Sequence, residues 1–179
     1  MLRFALTACL LATPAAAQHR HGSPAQHLPQ GAAPYAGFQS REAAGISAEE
    51  AADLRAGRGM AMALPAELNG HPGPMHALEL AEALGLTATQ RNRLEGQMAA
   101  MRAEAIPLGE ALIATERALD AVFARGAADA TAVEAASHAA AVARGRLRAA
   151  HLRTHLATRE VLTEAQRADY ARLRGYAAR

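Results

Sequence analysis

The sequence predicts an all-α protein built on a long bent helical hairpin with short flanking helices. The phrase Leu-Thr-x-x-Gln occurs twice, at residues 86–90 and 162–166, and each copy spells a capping box that starts a helix. The sequence between the copies is rich in Ala, Leu, Arg and Glu, which helices tolerate best. No segment reads as a strand. These observations favour two long helices joined as a hairpin.

The first 17 residues are predicted to be an export signal. Arg3 supplies the positive start, residues 4–12 form an apolar run, and Ala15-Ala16-Ala17 is a small-residue cleavage site. The apolar run is shorter than the ~20 residues that a transmembrane helix needs. We therefore expect a periplasmic protein with no stable membrane anchor. Cys9, the only cysteine, lies in this segment, so no thiol chemistry is expected of the mature chain.

Residues 18–45 are expected to be a disordered leader, because they carry Pro, Gly, Gln, Ser and His with little apolar periodicity. Three histidines of this leader, His19, His21 and His27, could bind Zn, Cu or Ni loosely, since imidazole suits these ions. The helical domain is predicted to span residues 46–176.

Short elements are predicted at the start of the helical domain. Ser47 and Glu50 spell a further capping box, for a helix that ends at Gly57 and Gly59. A short segment over residues 60–68 follows, and a helix is predicted over residues 74–84, with a proline at its first position.

A long helix is predicted over residues 87–125, with a length of about 58 Å at ~1.5 Å per residue. Its inward positions step alternately by four and three residues, which predicts a partner helix along the whole seam. Because the chain has few aromatic residues for a core, we expect a homodimer with the long helices packed across the interface. The seam positions are Leu94, Met98, Met101, Ala105, Leu108, Leu112, Thr115, Leu119 and Val122.

Pro107 is expected to bend this helix, because it removes one backbone hydrogen bond and crowds the carbonyl group of Ala103. Gly109 is expected to ease the bend. A bent helix would present a concave surface.

The returning arm is predicted to run from Asp129 or Thr131 to Val161, followed by a short helix to about residue 174. His151 and His155 lie one helical turn apart and could share a metal ion. A third ligand is needed. The alternative is a partly buried pair satisfied by carboxylates or backbone groups, and the sequence leaves both interpretations open. The candidates for the third ligand are His76, Glu79 and Glu160.

The paired phrase, its long separation and the export signal resemble the Spy/CpxP family of periplasmic proteins, which has zinc- and nickel-binding resistance proteins and sensors among its relatives. The motif residues are Leu86, Thr87, Gln90, Leu162, Thr163 and Gln166. The resemblance covers about residues 73–176. It implies a dimeric cradle that acts as an ATP-independent chaperone for unfolded clients. The alternative that it implies is a heavy-metal-binding resistance protein or sensor for Zn, Cu or Ni.

A client-binding surface is expected where arginines and small apolar residues meet on the two long helices. Arginine offers directional donors, and exposed apolar patches recognise unfolded segments. The alternative is a solvent-exposed face without a binding role, on which the arginines form ion pairs with glutamates. The candidate residues are Arg144, Arg146, Arg148, Arg153, Met98 and Met101.

Charge and composition argue against two other classes of protein. The 19 basic residues are all arginines and are nearly balanced by 17 acidic residues, so the high pI is poor support for nucleic acid binding. Outside the export signal the chain has no cysteine, few serines and no phosphate-binding loop, so we expect a protein that is not an enzyme and requires no cofactor.

Overall fold

The computed structural model describes residues 33–126 and 128–176, and these residues contain helices and no strand. The predicted all-α class is confirmed. The signal segment, Cys9 and the leader histidines His19, His21 and His27 lie outside the described residues. The six α-helices in the described part are α1 (Ala48–Arg55), α2 (Leu64–Glu67), α3 (Pro74–Glu79), α4 (Ala88–Ala124), α5 (Ala130–Val161) and α6 (Glu164–Leu173).

The chain divides into two units between Ala36 and Gly37, and all six α-helices belong to the second unit. Of the first, the structure describes a turn in which the Ala36 N–H donates to the Ala33 carbonyl at 2.9 Å. The second unit starts ahead of the expected domain start at residue 46. Ala43 is only 1% exposed in its core, and the Ala44 N–H donates to the Asp120 carboxylate at 2.6 Å. The last residues of the expected leader are therefore part of the folded body.

The long helices α4 and α5, of 37 and 32 residues, form the predicted hairpin. Residue Gly126 leaves α4 with a left-handed φ of 68°, and the Asp129 carboxylate caps α5 by accepting from the Ala132 N–H at 2.8 Å. The α4 seam packs against α5 and α1 of the same chain, and Leu94 and Leu112 are fully buried there. Its partner is thus intramolecular, and the homodimer stays a prediction.

Two apolar clusters hold the helices together. The first joins α1 to the middle of the hairpin. The second lies at the base of the hairpin, where the two Leu-Thr-x-x-Gln motifs meet. The first contains Ala43, Ile46, Ala51, Leu54, Ala105, Leu112, Ile113, Ala143 and Leu147; the second contains Ala77, Ala81, Leu84, Leu86, Leu94, Val161, Leu162 and Tyr170.

Gly109 has a packing role that the sequence analysis missed. A Cβ at this position would lie 2.6 Å from the backbone oxygen of Leu54, the residue that ends the buried face of α1. The glycine therefore lets α1 touch the α4 backbone. Pro107 lies inside α4, which continues through it, and its side chain is exposed.

The helix predicted over residues 74–84 is shorter than expected. Helix α3 ends at Glu79, and residues 80–84 form turns. The turns bring Leu84 and Leu86, both 5% exposed, into the second cluster, and Gly85 reverses the chain with a φ of 59°. Tertiary burial of these leucines outweighs the helical preference of the segment.

Candidate functional site

The two Leu-Thr-x-x-Gln motifs cap α4 and α6 in the same way. The hydroxyl of Thr87 accepts from the Gln90 N–H at 3.2 Å, and the Gln90 side chain accepts from the Thr87 N–H at 3.0 Å. Thr163 and Gln166 repeat both hydrogen bonds at 3.2 and 3.0 Å. Both predicted capping boxes are present, and Leu86 and Leu162 are buried beside them.

The two motif glutamines also bind each other, which the sequence could not reveal. The Gln90 amide donates to Gln166 Oε1 at 2.8 Å and to the Val161 carbonyl at 2.9 Å. In return, the Gln166 amide donates to Gln90 Oε1 and to the Leu84 carbonyl, each at 3.2 Å. Each glutamine thus caps its own helix and also hydrogen-bonds to a backbone carbonyl group beside the other motif. The paired motifs close the base of the hairpin.

Beside this closure lies a polar centre around Glu67, the last residue of α2, which is 6% exposed. Its Oε1 accepts from the hydroxyl groups of Tyr170 and Tyr176, the latter at 3.1 Å. Its Oε2 accepts from the Gly73 N–H at 3.1 Å. The Nε of Arg174 lies 4.0 Å from Oε1. Burial and the hydrogen bond to Glu67 raise the pKa of Tyr170, so this tyrosine stays a hydrogen-bond donor.

Two histidines reach the same carboxylate from different helices. His76 Nδ1, on α3, lies 3.4 Å from Glu67 Oε1, and His155 Nδ1, on α5, lies 3.5 Å from Oε2. The sequence predicts His76 and His155 for one candidate metal site but gives no indication that Glu67 belongs to it. An isolated glutamate in a short apolar segment was the only available signal, and a surface position explains that pattern equally well. The structure therefore supplies the group on which the predicted histidines converge.

His151, which the sequence pairs with His155 as a candidate ligand, has a different environment. It is 4% exposed and lies beside Gly59, where a Cβ would be 3.5 Å from Nδ1. Its Nε2 has no hydrogen-bond partner among the described residues. Burial and the neighbouring His155 lower the pKa of His151, with a smaller opposing effect from Glu104. The side chain is thus held neutral inside the hairpin.

We expect the free energy of unfolding to decrease as the pH is lowered, because of His151. Since the folded state lowers the pKa of His151, the unfolded chain takes up its proton first, near the ordinary value of 6.5. The contribution of neutral His151 is complete above about pH 6.5 and is lost as the pH falls towards the lower folded pKa. Urea denaturation between pH 5 and 8 measures it. His151→Leu should flatten the pH dependence, whereas His138→Leu, on an exposed position of α5, should not. Parallel profiles for both variants would refute the assignment.

The predicted client-binding residues divide into paired and unpaired side chains. Arg144 binds Glu50 at 3.2 Å, and Arg153 binds Glu104. For Arg146 and Arg148 no ion pair is found within the described residues, and both are exposed. Two of the four arginines thus form the ion pairs that the alternative without a binding role predicts. Met98 and Met101 are half-buried, and Met101 lines a shallow groove between α4 and α5 together with Ala100, Ala150 and Ala157.

The unpaired arginines flank an apolar outer face of α5. Val142 and Leu156 are 37% and 55% exposed, and Leu152 between them is half-buried. Residues 142, 145, 149, 152 and 156 step by three and four, so they share one face, turned away from the buried positions 143, 147 and 150. Gly145 and Ala149 complete this face with small side chains.

Metal binding fits the described residues poorly. Within residues 33–126 and 128–176, no three His, Cys, Asp or Glu side chains are placed to hold one ion. His76 and His155 meet at Glu67, but that carboxylate already accepts from two hydroxyl groups and one backbone N–H. Glu79 and Glu160, the other candidate ligands, are exposed. The predicted set of His151, His155 and His76 is not assembled as a metal site in this conformation.

A family model described as heavy-metal resistance matches residues 57–169. The chain belongs to this heavy-metal resistance family. It is the Spy/CpxP-like family of periplasmic helical proteins with Leu-Thr-x-x-Gln motifs, so the predicted membership is confirmed. Neither a curated protein nor a solved structure matches the chain. Members of the family are typically exported. In the part of the chain that the structure describes, no helix has the length and hydropathy to cross a membrane.

Proposed function

We propose that this member of the heavy-metal resistance family is a periplasmic, ATP-independent chaperone that holds unfolded protein segments on the outer face of α5. The observation that carries the proposal is the exposed apolar face at Val142, Leu152 and Leu156, flanked by the unpaired arginines Arg146 and Arg148. Apolar side chains of an unfolded client would be removed from water on this face. The guanidinium groups would donate to client carbonyl or carboxylate groups. No catalytic step is involved.

Family membership supports this role in the context of metal stress, because toxic metal ions bind thiols and imidazoles of other exported proteins and leave them unfolded. A holding protein would counter that damage without binding the ion itself. Export through residues 1–17 would place it beside such clients. A homodimer, as predicted from the sequence, would present two copies of the α5 face.

The apolar face is tested by the double substitution Val142→Ser and Leu156→Ser. Aggregation of a reduced, unfolding client is followed by light scattering at increasing concentrations of the protein. We expect the concentration for half-maximal suppression to rise about thirtyfold, since two half-exposed apolar side chains contribute roughly 1 kcal/mol each to client burial. Phe123→Ser, at a 60% exposed position near the hairpin tip, is the matched control and should suppress like the wild type. Equal suppression by the face variant and the control would refute the proposal.

Metal binding is a second candidate function, favoured by the description of the family. Because the described residues form no metal site, the candidate ligands for Zn, Cu or Ni are the leader residues His19, His21 and His27. Calorimetric titration of the mature chain with each ion tests this. Binding that disappears in the His19→Ala, His21→Ala, His27→Ala variant would support it. A mature chain that binds none of the three ions would exclude it.

A further inference from the structure

Residues 57–62, which lie between α1 and α2, form a turn that touches both long helices; we call it the bridging turn. Gly57 faces α4, where an added Cβ would lie 3.1 Å from Cγ of Arg102. Gly59 faces α5, where an added Cβ would lie 3.5 Å from Nδ1 of His151. The turn therefore spans the two arms of the hairpin.

Apolar packing, and no hydrogen bond among the described residues, attaches the bridging turn to the hairpin. Met60 and Met62 pack against the first apolar cluster. The hydrogen bonds and the ion pair described for the turn all stay within residues 53–64. One of them joins the Met62 N–H to the Gly59 carbonyl at 2.7 Å. The attachment thus depends on the apolar character of the two methionine side chains.

The backbone of the bridging turn is strained. Met60 and Ala61 have φ values of 41° and 61°, in the left-handed region that costs energy for residues with a Cβ. A tight turn with two such positions is normally built from Gly, Asn or Asp. Strain of this kind persists only where surrounding contacts enforce it. Loss of the methionine packing would therefore let the turn open.

Methionine is the most readily oxidised side chain beyond the predicted export signal, because the sole cysteine lies within that signal. Met60 and Met62 are half-buried and line a surface groove, so a small oxidant can reach their thioether groups. With hydrogen peroxide, a sulfur lone pair attacks one peroxide oxygen. The S–O bond forms as the O–O bond breaks, the sulfur loses two electrons, and water leaves. The product is methionine sulfoxide.

A sulfoxide fits poorly on either side of the bridging turn. Against the first apolar cluster, its oxygen would be a buried acceptor without a donor. In the groove it would lie among carboxylates, which can only accept. Arg144 also lines this groove, but it already donates through both terminal nitrogens to Glu50 at 3.2 Å. The carboxylates of the groove are Glu49, Glu50 and Asp53.

We infer that the bridging turn is an oxidation-sensitive latch, which peroxide-type oxidants open by converting Met60 and Met62 to sulfoxides. Opening uncovers the part of the first apolar cluster against which these methionines pack. The uncovered surface holds further unfolded segments, a consequence that rests on the proposed chaperone function. Because the same oxidants damage other exported proteins, the holding capacity rises with the need for it. Methionine sulfoxide reductases, one for each epimer, close the latch again.

The test treats the full mature chain with hydrogen peroxide and locates the sulfoxides by mass spectrometry of its peptides. Opening is measured by the fluorescence of a dye that binds apolar surface and by hydrogen exchange of residues 57–62. We expect sulfoxides at Met60 and Met62, increased dye binding and faster exchange, with helical circular dichroism retained. The concentration for half-maximal suppression of client aggregation should fall about twofold, because each molecule then offers two apolar surfaces instead of one. Treatment with the reductases should reverse these changes.

Three variants separate the latch from general oxidation. Met60→Leu with Met62→Leu keeps side chains of similar volume that peroxide does not oxidise, so this leucine variant should show no opening. Met75→Leu is the matched control, since Met75 is 52% exposed on α3, and it should respond like the wild type. Met60→Gln with Met62→Gln places polar side chains in the turn and should bind the dye without peroxide.

The inference is overturned if both methionines carry sulfoxides while dye binding and exchange stay unchanged. It is equally overturned if the leucine variant opens as much as the wild type, or if peroxide oxidises Met75 and spares Met60 and Met62. Should the glutamine variant lose its helical circular dichroism, the comparison of treated wild type with treated leucine variant decides. A chain that opens on oxidation but never suppresses aggregation would confirm the latch and refute the proposed chaperone function.

Discussion

Replacing Glu67 by alanine is expected to lower the free energy of unfolding by about 3–5 kcal/mol, the range for removing one partner from a buried charged network. The loss leaves the Tyr170 hydroxyl and the Gly73 N–H buried without their acceptor. It also removes the carboxylate that lies next to Nδ1 of His76 and Nδ1 of His155. Because residues of α2, α3, α5 and the C-terminal segment all surround the Glu67 carboxylate, the effect should be cooperative. Urea denaturation followed by circular dichroism measures it.

Two further variants separate charge from position. Glu79→Ala removes a carboxylate from an exposed position of α3 and should change stability by no more than about 0.5 kcal/mol. Glu67→Gln keeps one acceptor oxygen but turns an amide donor towards other donors, so an intermediate loss is expected. If Glu67→Ala lowered the free energy of unfolding by less than about 1 kcal/mol, the polar centre around Glu67 would have to be open to water in solution.

Gly109→Ala is expected to destabilise the protein by about 1–3 kcal/mol, although the same change in most helix interiors stabilises. The added Cβ would lie 2.6 Å from the Leu54 carbonyl oxygen and 3.0 Å from its carbon. These are backbone atoms, so α1 must move away from α4 as a unit. Leu54 is 1% exposed and Ile113 is 2% exposed next to this contact, so the movement also opens the first apolar cluster. Both thermal and urea denaturation should show this loss of stability.

Gly96 gives the opposite result in the same helix. A Cβ at Gly96 meets nothing within 4 Å, so Gly96→Ala should stabilise by about 0.5–1 kcal/mol through helix propensity. The decisive result is that the change in the free energy of unfolding has opposite signs for Gly109→Ala and Gly96→Ala. Stabilisation of both variants would show that α1 does not press on the α4 backbone.

Local chemistry explains the elements that could be predicted from the sequence. Thr87 and Thr163 accept from the backbone of their own helices, and Asp129 caps α5 in the same local way, so these helix starts are encoded within four residues. The helix over residues 74–84 was predicted too long because burial of Leu84 and Leu86 depends on distant partners such as Leu94 and Tyr170. A heptad pattern likewise specifies a partner helix but not which helix it is, so only the structure shows that the α4 seam packs on α5 and α1 of the same chain, while the homodimer remains a prediction.

The sequence by itself determined the family, the helical hairpin and the positions of its caps, because these follow from patterns that are local along the chain. The tertiary structure decided the rest. It paired Gln90 with Gln166 across 76 positions of sequence and brought Glu67 to Tyr170 across 103. It also divided the arginines of α5 into paired and unpaired side chains. Such contacts depend on how whole helices pack, and the residues next to each partner in the sequence do not indicate that packing.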